Sequence, residues 1–296
     1  MKKVKILSAL WTPTDESGKL LKDDLKVNLK FLEDKGVDGL LVAGSTGEFH
    51  YLKPATRKDL LKCVIDDKGS MDVLFNVSHT DPKVVKDFIN FANPLDISGI
   101  TLLPPLFYPF ARDDLIEYFV DMSKLIKHPF YLYTFPELVG YKLELDVIQE
   151  ICKRVPVAGI KYSGADFTGL TNIMNWAHDK DFKVFSGNDI LLPESLQQGV
   201  FGGIGGLVNA LPELFVAIKK AVQSNDNEKI KSLSNQLKQL PKLLDRLKFP
   251  LNVSALMESR NLAIGSHKMP MSKTTSETYE EVVKEATELF QGWNLM

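Results

Sequence analysis

The chain repeats one pattern eight times, a short β-rich run followed by a longer amphipathic helical segment. Strands are predicted at Ile6–Leu10, Gly39–Val42, Val73–Val77, Gly99–Leu103, Phe130–Tyr133, Ala158–Lys161, Lys183–Ser186 and Phe201–Gly205. Strands that alternate with helices favour a parallel sheet, because each helix carries the chain back to the start of the next strand. Eight such units predict an α/β protein of the (β/α)₈ TIM-barrel class.

The helices of this pattern would form the outer layer of the barrel. They are predicted near Asp23–Lys35, from Pro54, at Pro82–Ala92, from Asp113, and at Leu145–Arg154, Leu170–Ala177, Leu191–Gln198 and Leu211–Gln223. The alternative, a doubly wound open sheet, would be expected to carry a glycine-rich dinucleotide turn after its first strand. The residues there read TPTDESGK, so the barrel is favoured.

The last part of the chain differs from the rest, because no strand is predicted after residue 225. It contains three helical patterns, near Glu228–Leu244, Leu251–Ser259 and Glu277–Phe290. We therefore expect one domain, with the barrel in residues 1–225 and a C-terminal helical extension in residues 226–296.

The composition argues against several classes of partner. The formal net charge is −2, so no general positive field is present to bind nucleic acid or an anionic membrane. The apolar run Ile6–Trp11 is too short for a secretory signal, and no other run approaches a membrane span. Cys63 and Cys152 lie in helical patterns without metal-binding spacing, which predicts reduced, buried thiols. A cytoplasmic protein is expected.

Reactive residues of such barrels lie at the carboxyl ends of the strands. The second strand is followed by the turn GSTGE, whose hydroxyls Ser45 and Thr46 and backbone N–H groups could hold a carboxylate. The same residues are also common in ordinary turns between a strand and a helix. No GK[ST] follows, so the turn is not a phosphate-binding P-loop.

Two further strands end in side chains that could take part in a reaction. Lys161 closes the apolar run VAGIK, and burial disfavours the charged form of a lysine and leaves more free amine. An amine of this kind can attack a ketone to form an iminium. Tyr133 ends the fifth strand, where a phenol can relay a proton. Taken singly, the lysine could simply emerge at the rim and the tyrosine could be an ordinary strand residue.

Three motifs, in this order and at these separations, resemble the dihydrodipicolinate synthase/N-acetylneuraminate lyase superfamily. They are GSTGE at residues 44–48, Y-x-x-P at Tyr133–Pro136 and G-I-K at Gly159–Lys161. The resemblance covers essentially the whole chain. It implies a (β/α)₈ barrel that assembles as a homo-oligomer, a dimer or tetramer. It also implies an enzyme that needs no cofactor or metal and acts on pyruvate and an aldehyde.

The resemblance also implies roles for individual residues. Lys161 is similar to the lysine that forms the Schiff base, and Tyr133 to the residue that relays protons and contacts the keto acid. Ser45 and Thr46 resemble the hydroxyl pair near the substrate carboxylate. Gly205 falls where the family lines the pocket with backbone.

Two positions depart from the synthases of this family. They usually carry an arginine for the semialdehyde carboxylate where this chain has Leu138, a leucine that sialic acid lyases share. They also usually carry a tyrosine that enters the neighbouring subunit's site, at the position aligned with Phe107, beside Tyr108. Loss of a charge-assisted partner argues against efficient dihydrodipicolinate synthesis.

The match to sialic acid lyases is also incomplete. The chain shares their YPF at Tyr108–Phe110, and Asp189 keeps the first member of the acidic pair that holds the sugar tail. Ile190 replaces the second acid, Gly206 stands in place of a serine, and Ser163 could replace the threonine after the lysine. Aldolases for 2-keto-3-deoxygluconate therefore remain open.

The favoured function is a class I aldolase or lyase, a carbon–carbon lyase that makes or cleaves a 2-oxo acid with pyruvate as donor or product. One alternative is a 4-hydroxy-tetrahydrodipicolinate synthase. Another is an inactive keto-acid-binding paralogue, which would be expected to lose the lysine or the tyrosine. A metal-dependent barrel is disfavoured because His50 and His79 form no H-x-H pair at a strand end. The identity of the aldehyde and the direction of the reaction stay open.

Overall fold

The computed structural model describes residues 4–295, so the predicted outer limits at residues 1 and 296 lie outside the described part. Eight parallel strands close into a barrel in sequence order, β1 to β8. They are β1 (Lys5–Ala9), β2 (Gly39–Val42), β3 (Asp72–Asn76), β4 (Gly99–Leu102), β5 (Phe130–Thr134), β6 (Gly159–Tyr162), β7 (Lys183–Ser186) and β8 (Gly202–Gly205). The predicted fold class is confirmed.

Helices connect the strands and form the C-terminal extension. They are α1 (Lys22–Asp34), α2 (Pro54–Asp67), α3 (Pro82–Ala92), α4 (Arg112–Ser123), α5 (Pro136–Val139), α6 (Leu145–Arg154), α7 (Phe167–Ala177), α8 (Leu192–Gln198), α9 (Pro212–Gln223), α10 (Asn227–Leu237), α11 (Pro241–Leu244), α12 (Leu251–Glu258) and α13 (Lys273–Gly292). Single 3₁₀ turns lie at Phe49–Tyr51 and Leu207–Asn209. In residues 4–295 no helix has the length and hydropathy needed to cross a membrane.

Local sequence explains where several helices begin. Proline occupies the first turn of α2, α3 and α9, where its missing N–H costs nothing. Asp81 caps α3 by accepting a hydrogen bond from the Lys83 N–H at 2.8 Å. Ser272 caps α13 in the same way, so that helix begins at Lys273, four residues before the predicted Glu277.

Two elements differ from the prediction. The single helix predicted at Glu228–Leu244 is wrong, because the segment forms α10 and α11 with a break at 238–240. Pro241 explains the break, since its ring clashes with the preceding turn and it has no N–H to donate. The short helix α5 directly after β5 was not predicted.

The barrel interior positions the reactive residues. Every residue of β5 and β6 is buried, and Tyr133 on β5 is the register partner of Lys161 on β6. Side chains of register partners point to the same face of a sheet. The two side chains therefore project side by side at the carboxyl end of the barrel.

The C-terminal extension packs against the barrel through specific hydrogen bonds. The indole N–H of Trp11 donates to the Ile264 carbonyl at 2.8 Å, and the Asn28 amide donates to the Ala263 carbonyl at 2.7 Å. Arg260 adds a partly buried ion pair with Glu213, with its Nη1 2.8 Å from Oε2. The extension is thereby joined to the loop after β1 and to helices α1 and α9.

Candidate active site

The centre of the site is a row of three buried polar groups. Lys161 Nζ donates to Tyr133 Oη at 3.1 Å, and the same phenol oxygen lies 3.1 Å from Ser45 Oγ. Lys161 is only 4% exposed and Tyr133 is fully buried. Lys161 has no ion pair with a carboxylate within the described residues. An amine, a phenol and a hydroxyl can therefore exchange protons out of bulk water.

The turn at 44–48 brings its hydroxyls to this row. A β-carbon on Gly47 would lie 2.7 Å from both the Leu10 carbonyl and the Thr12 hydroxyl, so only glycine fits where the turn passes the first strand. A β-carbon on Gly206 would lie 3.0 Å from Thr46 Oγ1. The glycine at 206 therefore leaves the Thr46 hydroxyl uncovered.

These groups line a cavity of about 310 Å³. Its polar lining consists of Ser45, Thr46, Tyr133, Glu137, Lys161, Ser163, Asn188, Asp189 and Asn252. Six of the nine residues proposed from the sequence meet here: both catalytic candidates, the hydroxyl pair, Ser163 and Asp189. Lys161 is the only basic side chain among the described residues that line the cavity.

The two carboxyl oxygens of the partly buried Asp189 lie in different surroundings. Oδ2 accepts from the backbone N–H groups of Gly206 and Leu207 at 3.0 and 3.1 Å. Oδ1 is buried and, within the described part of the chain, accepts no hydrogen bond. Burial raises the pKa of Asp189 to about 6, although the two N–H groups and the charge of Lys161 oppose that rise. A larger fraction of Asp189 is therefore protonated at a given pH than of an ordinary aspartate.

Gly205 lies next to this carboxyl and leaves room for it. A β-carbon at that position would lie 1.7 Å from Asp189 Oδ1. Gly205 itself does not line the cavity, whereas its neighbours Ile204 and Gly206 do. The missing side chain at 205 provides the space that Asp189 occupies.

Two residues proposed from the sequence lie elsewhere. Leu138 is 53% exposed and lines an adjacent cavity of about 580 Å³, which shares Ser45 and Phe249 with the first. Tyr108 is 68% exposed in the loop after β4, where its ring packs edge-on against Phe107. A single chain therefore does not bring Leu138 or Tyr108 to the amine.

Sequence reasoning missed several residues that line the cavity. Glu137 and Asn188 follow strand ends, so their positions could have suggested a role. Glu137 Oε1 accepts from the Ala165 N–H at 3.0 Å, which ties the loop after β5 to the loop after β6. Phe249 and Asn252 come from the extension, and no periodicity or strand end points to them.

The histidines considered as metal ligands are separated. His50 lines the larger cavity, and His79 packs edge-on against Phe88. Nowhere in residues 4–295 do three His, Cys, Asp or Glu side chains come together in a group that could hold a metal ion.

Comparison with known proteins gives a consistent result. The chain matches the model of the Dihydrodipicolinate synthetase family over residues 2–289. It is 28% identical to an N-acetylneuraminate lyase of Lactiplantibacillus plantarum over 280 residues, 94% of this chain and 95% of the lyase. It is 26% identical to a 2-dehydro-3-deoxy-D-gluconate/2-dehydro-3-deoxy-phosphogluconate aldolase of Picrophilus torridus over 261 residues, 88% of this chain and 97% of the aldolase.

Among solved structures, the fold is similar to that of YagE, a prophage protein from E. coli K12 solved in complex with pyruvate. That protein belongs to the dihydrodipicolinic acid synthase family. The TM-score is 0.90 at 25% sequence identity, and the match covers 99% of both chains. Sequence and fold therefore match the same group of proteins along nearly the whole chain.

Proposed function

The chain belongs to the dihydrodipicolinate synthetase family, and within it we propose a class I aldolase or lyase that makes or cleaves a 2-oxo acid with pyruvate as donor or product. The observation that carries the proposal is the buried Lys161 amine, 3.1 Å from the Tyr133 phenol. The lyase and aldolase names of the relatives support the same carbon–carbon chemistry.

The reaction follows from the three groups in the row. The nitrogen lone pair of Lys161 attacks the ketone carbon of pyruvate, and the hydroxyl of the resulting carbinolamine takes up a proton and leaves as water to give an iminium. The iminium withdraws electrons from the adjacent methyl carbon, which loses a proton and becomes an enamine. The enamine attacks the aldehyde carbon, and the aldehyde oxygen takes up a proton. Water then releases the 2-oxo acid and restores the amine, and cleavage is the reverse.

Each remaining group has a role in these steps. Tyr133 carries protons to and from the carbinolamine and the aldehyde oxygen, because its hydroxyl contacts the amine directly. Ser45 and Thr46 donate to the keto-acid carboxylate and set its orientation. Ser163 and Asp189, which also line the cavity, contact the hydroxyl groups of the aldehyde portion.

The charges around the cavity favour a neutral, hydroxylated aldehyde. Besides Lys161, the charged residues of the lining are Glu137 and Asp189, both acidic. A synthase must bind the carboxylate of aspartate semialdehyde, and no further basic side chain of the described lining is placed to meet it. This supports a sugar-acid or sialic acid type of aldolase over the synthase alternative. An inactive paralogue is disfavoured because Lys161 and Tyr133 are both retained.

The protein is further proposed to act as a homo-oligomer in a reducing, cytoplasmic compartment. The loop after β4 exposes Phe107, Tyr108 and Phe110 together, and exposed apolar patches of this kind mark interaction surfaces. A second copy of the chain is the partner that the family resemblance implies. Both cysteines are free thiols, which fits a reducing environment.

Borohydride trapping tests the proposed function. Incubation with pyruvate and borohydride should add one reduced pyruvyl group at Lys161, and Lys161→Ala should abolish the label. Wild type should then turn over at least one member of a panel of N-acetylmannosamine, glyceraldehyde, glyoxylate and aspartate semialdehyde. An unlabelled Lys161 in active enzyme would overturn the mechanism, and labelling without turnover of any aldehyde would favour a binding protein.

A further inference from the structure

We propose that Asn76 and Lys268 are positioning residues that hold the turn at 44–48 in its pyruvate-binding shape. The inference rests on the proposed function, because it assigns the turn to the keto-acid carboxylate. Neither residue lines the 310 Å³ cavity. Asn76 bonds to Ala43 and Lys268 to Glu48, at the two ends of the turn, and we refer to the pair as the turn clamp.

The turn needs such support because the backbone is strained at both of its ends. Ala43, just before the turn, has φ of 56°, and Glu48, its last residue, has φ of 54°. Residues other than glycine rarely adopt this left-handed conformation, and it persists only where the surroundings hold it. The hydroxyls of Ser45 and Thr46 lie between these two points. Their positions therefore depend on whatever fixes Ala43 and Glu48.

Asn76 fixes the first point. It is fully buried at the end of β3, and its Nδ2 donates to the Ala43 carbonyl at 2.8 Å. Its Oδ1 accepts from Ser78 Oγ at 2.6 Å, which leaves the amide only one orientation. The buried guanidinium of Arg57 donates to the backbone carbonyls of Asn76 and Ser78 and anchors this segment in turn.

Lys268 fixes the second point from the far end of the chain. Its Nζ lies 2.9 Å from Glu48 Oε2, and the two side chains are only 7% and 9% exposed. The same ammonium donates to the Thr12 carbonyl at 3.0 Å and lies over the Trp11 ring. Loss of one partner of such a pair leaves a buried charge without compensation. Lys268 belongs to the segment between α12 and α13, so the extension reaches the carboxylate-binding turn directly.

The clamp should affect pyruvate binding more than bond formation. Lys161 and Tyr133 lie on β5 and β6, whereas the clamp bonds to the two ends of the turn that carries Ser45 and Thr46. An interaction that serves binding alone changes the half-saturating concentration without changing the maximal rate. For Lys268→Met and Asn76→Leu we expect the half-saturating pyruvate concentration to rise about tenfold, with a maximal trapping rate within about threefold of wild type.

Borohydride trapping with pyruvate alone measures both quantities without an aldehyde. Lys268→Arg keeps the charge and should restore most of the affinity. Lys248→Met is the matched control, because Lys248 lines the 580 Å³ cavity without contacting the turn, and it should behave as wild type. If Lys268→Met does not fold, the double variant Glu48→Gln/Lys268→Met, which leaves no unpaired buried charge, should show the same rise.

The outcomes separate the two proposals. If wild type is never labelled, the proposed function is wrong, and the clamp proposal, which rests on it, is wrong as well. If wild type is labelled but the folded Lys268 and Asn76 variants keep the wild-type half-saturating pyruvate concentration, only the clamp proposal is contradicted. A fall in maximal rate with unchanged half-saturation also overturns it, because the residues would then act on the amine or on general stability.

Discussion

Tyr133 and Lys161 sit on adjacent strands as register partners, and the phenol oxygen lies 3.1 Å from the amine nitrogen. The amine also lies 4.3 Å from the centre of the tyrosine ring. This close contact is set by two fully buried strands rather than by loops. The relative position of the phenol and the amine is therefore fixed by the strands of the barrel.

We expect Tyr133→Phe to remove the relay and leave the fold intact. The maximal rate should fall about 10²- to 10⁴-fold, the usual contribution of a positioned acid or base. Steady-state kinetics and the borohydride trapping rate measure this loss. Tyr131→Phe is the matched control, because Tyr131 lies on the same strand near the opposite end of the barrel. Equal losses in both variants would show that the effect is general damage to β5.

Asp189→Asn should change how stability depends on pH. The folded-state pKa of Asp189 is raised to about 6 from 3.8, so the folded protein resists the charged form. The resulting destabilisation grows mainly between about pH 4 and pH 7, and at its full extent a shift of this size amounts to roughly 3 kcal/mol. The asparagine variant should thus gain stability relative to wild type as pH rises from 4 to 7. Thermal unfolding at several pH values tests this, and a constant difference would contradict it.

Glu137→Gln should relax discrimination against anionic aldehydes. Removal of one partly screened charge at the cavity should raise the preference for aspartate semialdehyde over glyceraldehyde about three- to tenfold. The ratio of the two kcat/KM values is the measurement, and high salt should diminish the change. Glu150→Gln serves as the control, because Glu150 lies on α6, pairs with Lys153 and does not line the cavity. An unchanged ratio at low salt would mean that Glu137 does not select the aldehyde.

Gly205→Ala should displace Asp189, because the added β-carbon would overlap Oδ1. We expect a loss of about 1–3 kcal/mol in the free energy of unfolding, the usual cost of overpacking. Asp189→Ala removes the obstacle, so the glycine change should cost much less in that background. Denaturant unfolding of the four proteins in this cycle gives the coupling. Additive losses would show that the two residues do not compete for the space.

Much of this architecture follows from local sequence patterns. Alternating strand and helix periodicity predicts the barrel, and the ends of the strands predict Ser45, Thr46, Tyr133 and Lys161 as neighbours. Parallel strands make this possible, since they bring their carboxyl ends to one face whatever their separation in sequence. Residues placed by strand geometry could therefore be predicted.

Residues placed by loops and by the extension could not be predicted in the same way. The Y-x-x-P motif locates Leu138 two residues after a proline, but α5 turns that side chain toward the adjacent cavity. Lys268 and Asn252 reach the site only because α12 and α13 pack over the barrel. No periodicity encodes such packing, since it depends on contacts between segments more than 200 residues apart.

The ion pair of Lys268 with Glu48 joins residues that are 220 positions apart in the sequence, so Lys268 is synthesised long after Glu48. A nascent chain that has emerged as far as residue 225 already contains the amine, the phenol and both hydroxyls. It still lacks the lysine that holds the hydroxyl turn in place. Under the clamp proposal, a polypeptide that lacks Lys268 carries the reactive amine with about a tenfold lower affinity for pyruvate. Full affinity for the keto acid would thereby have to wait until Lys268 has been added and has paired with Glu48.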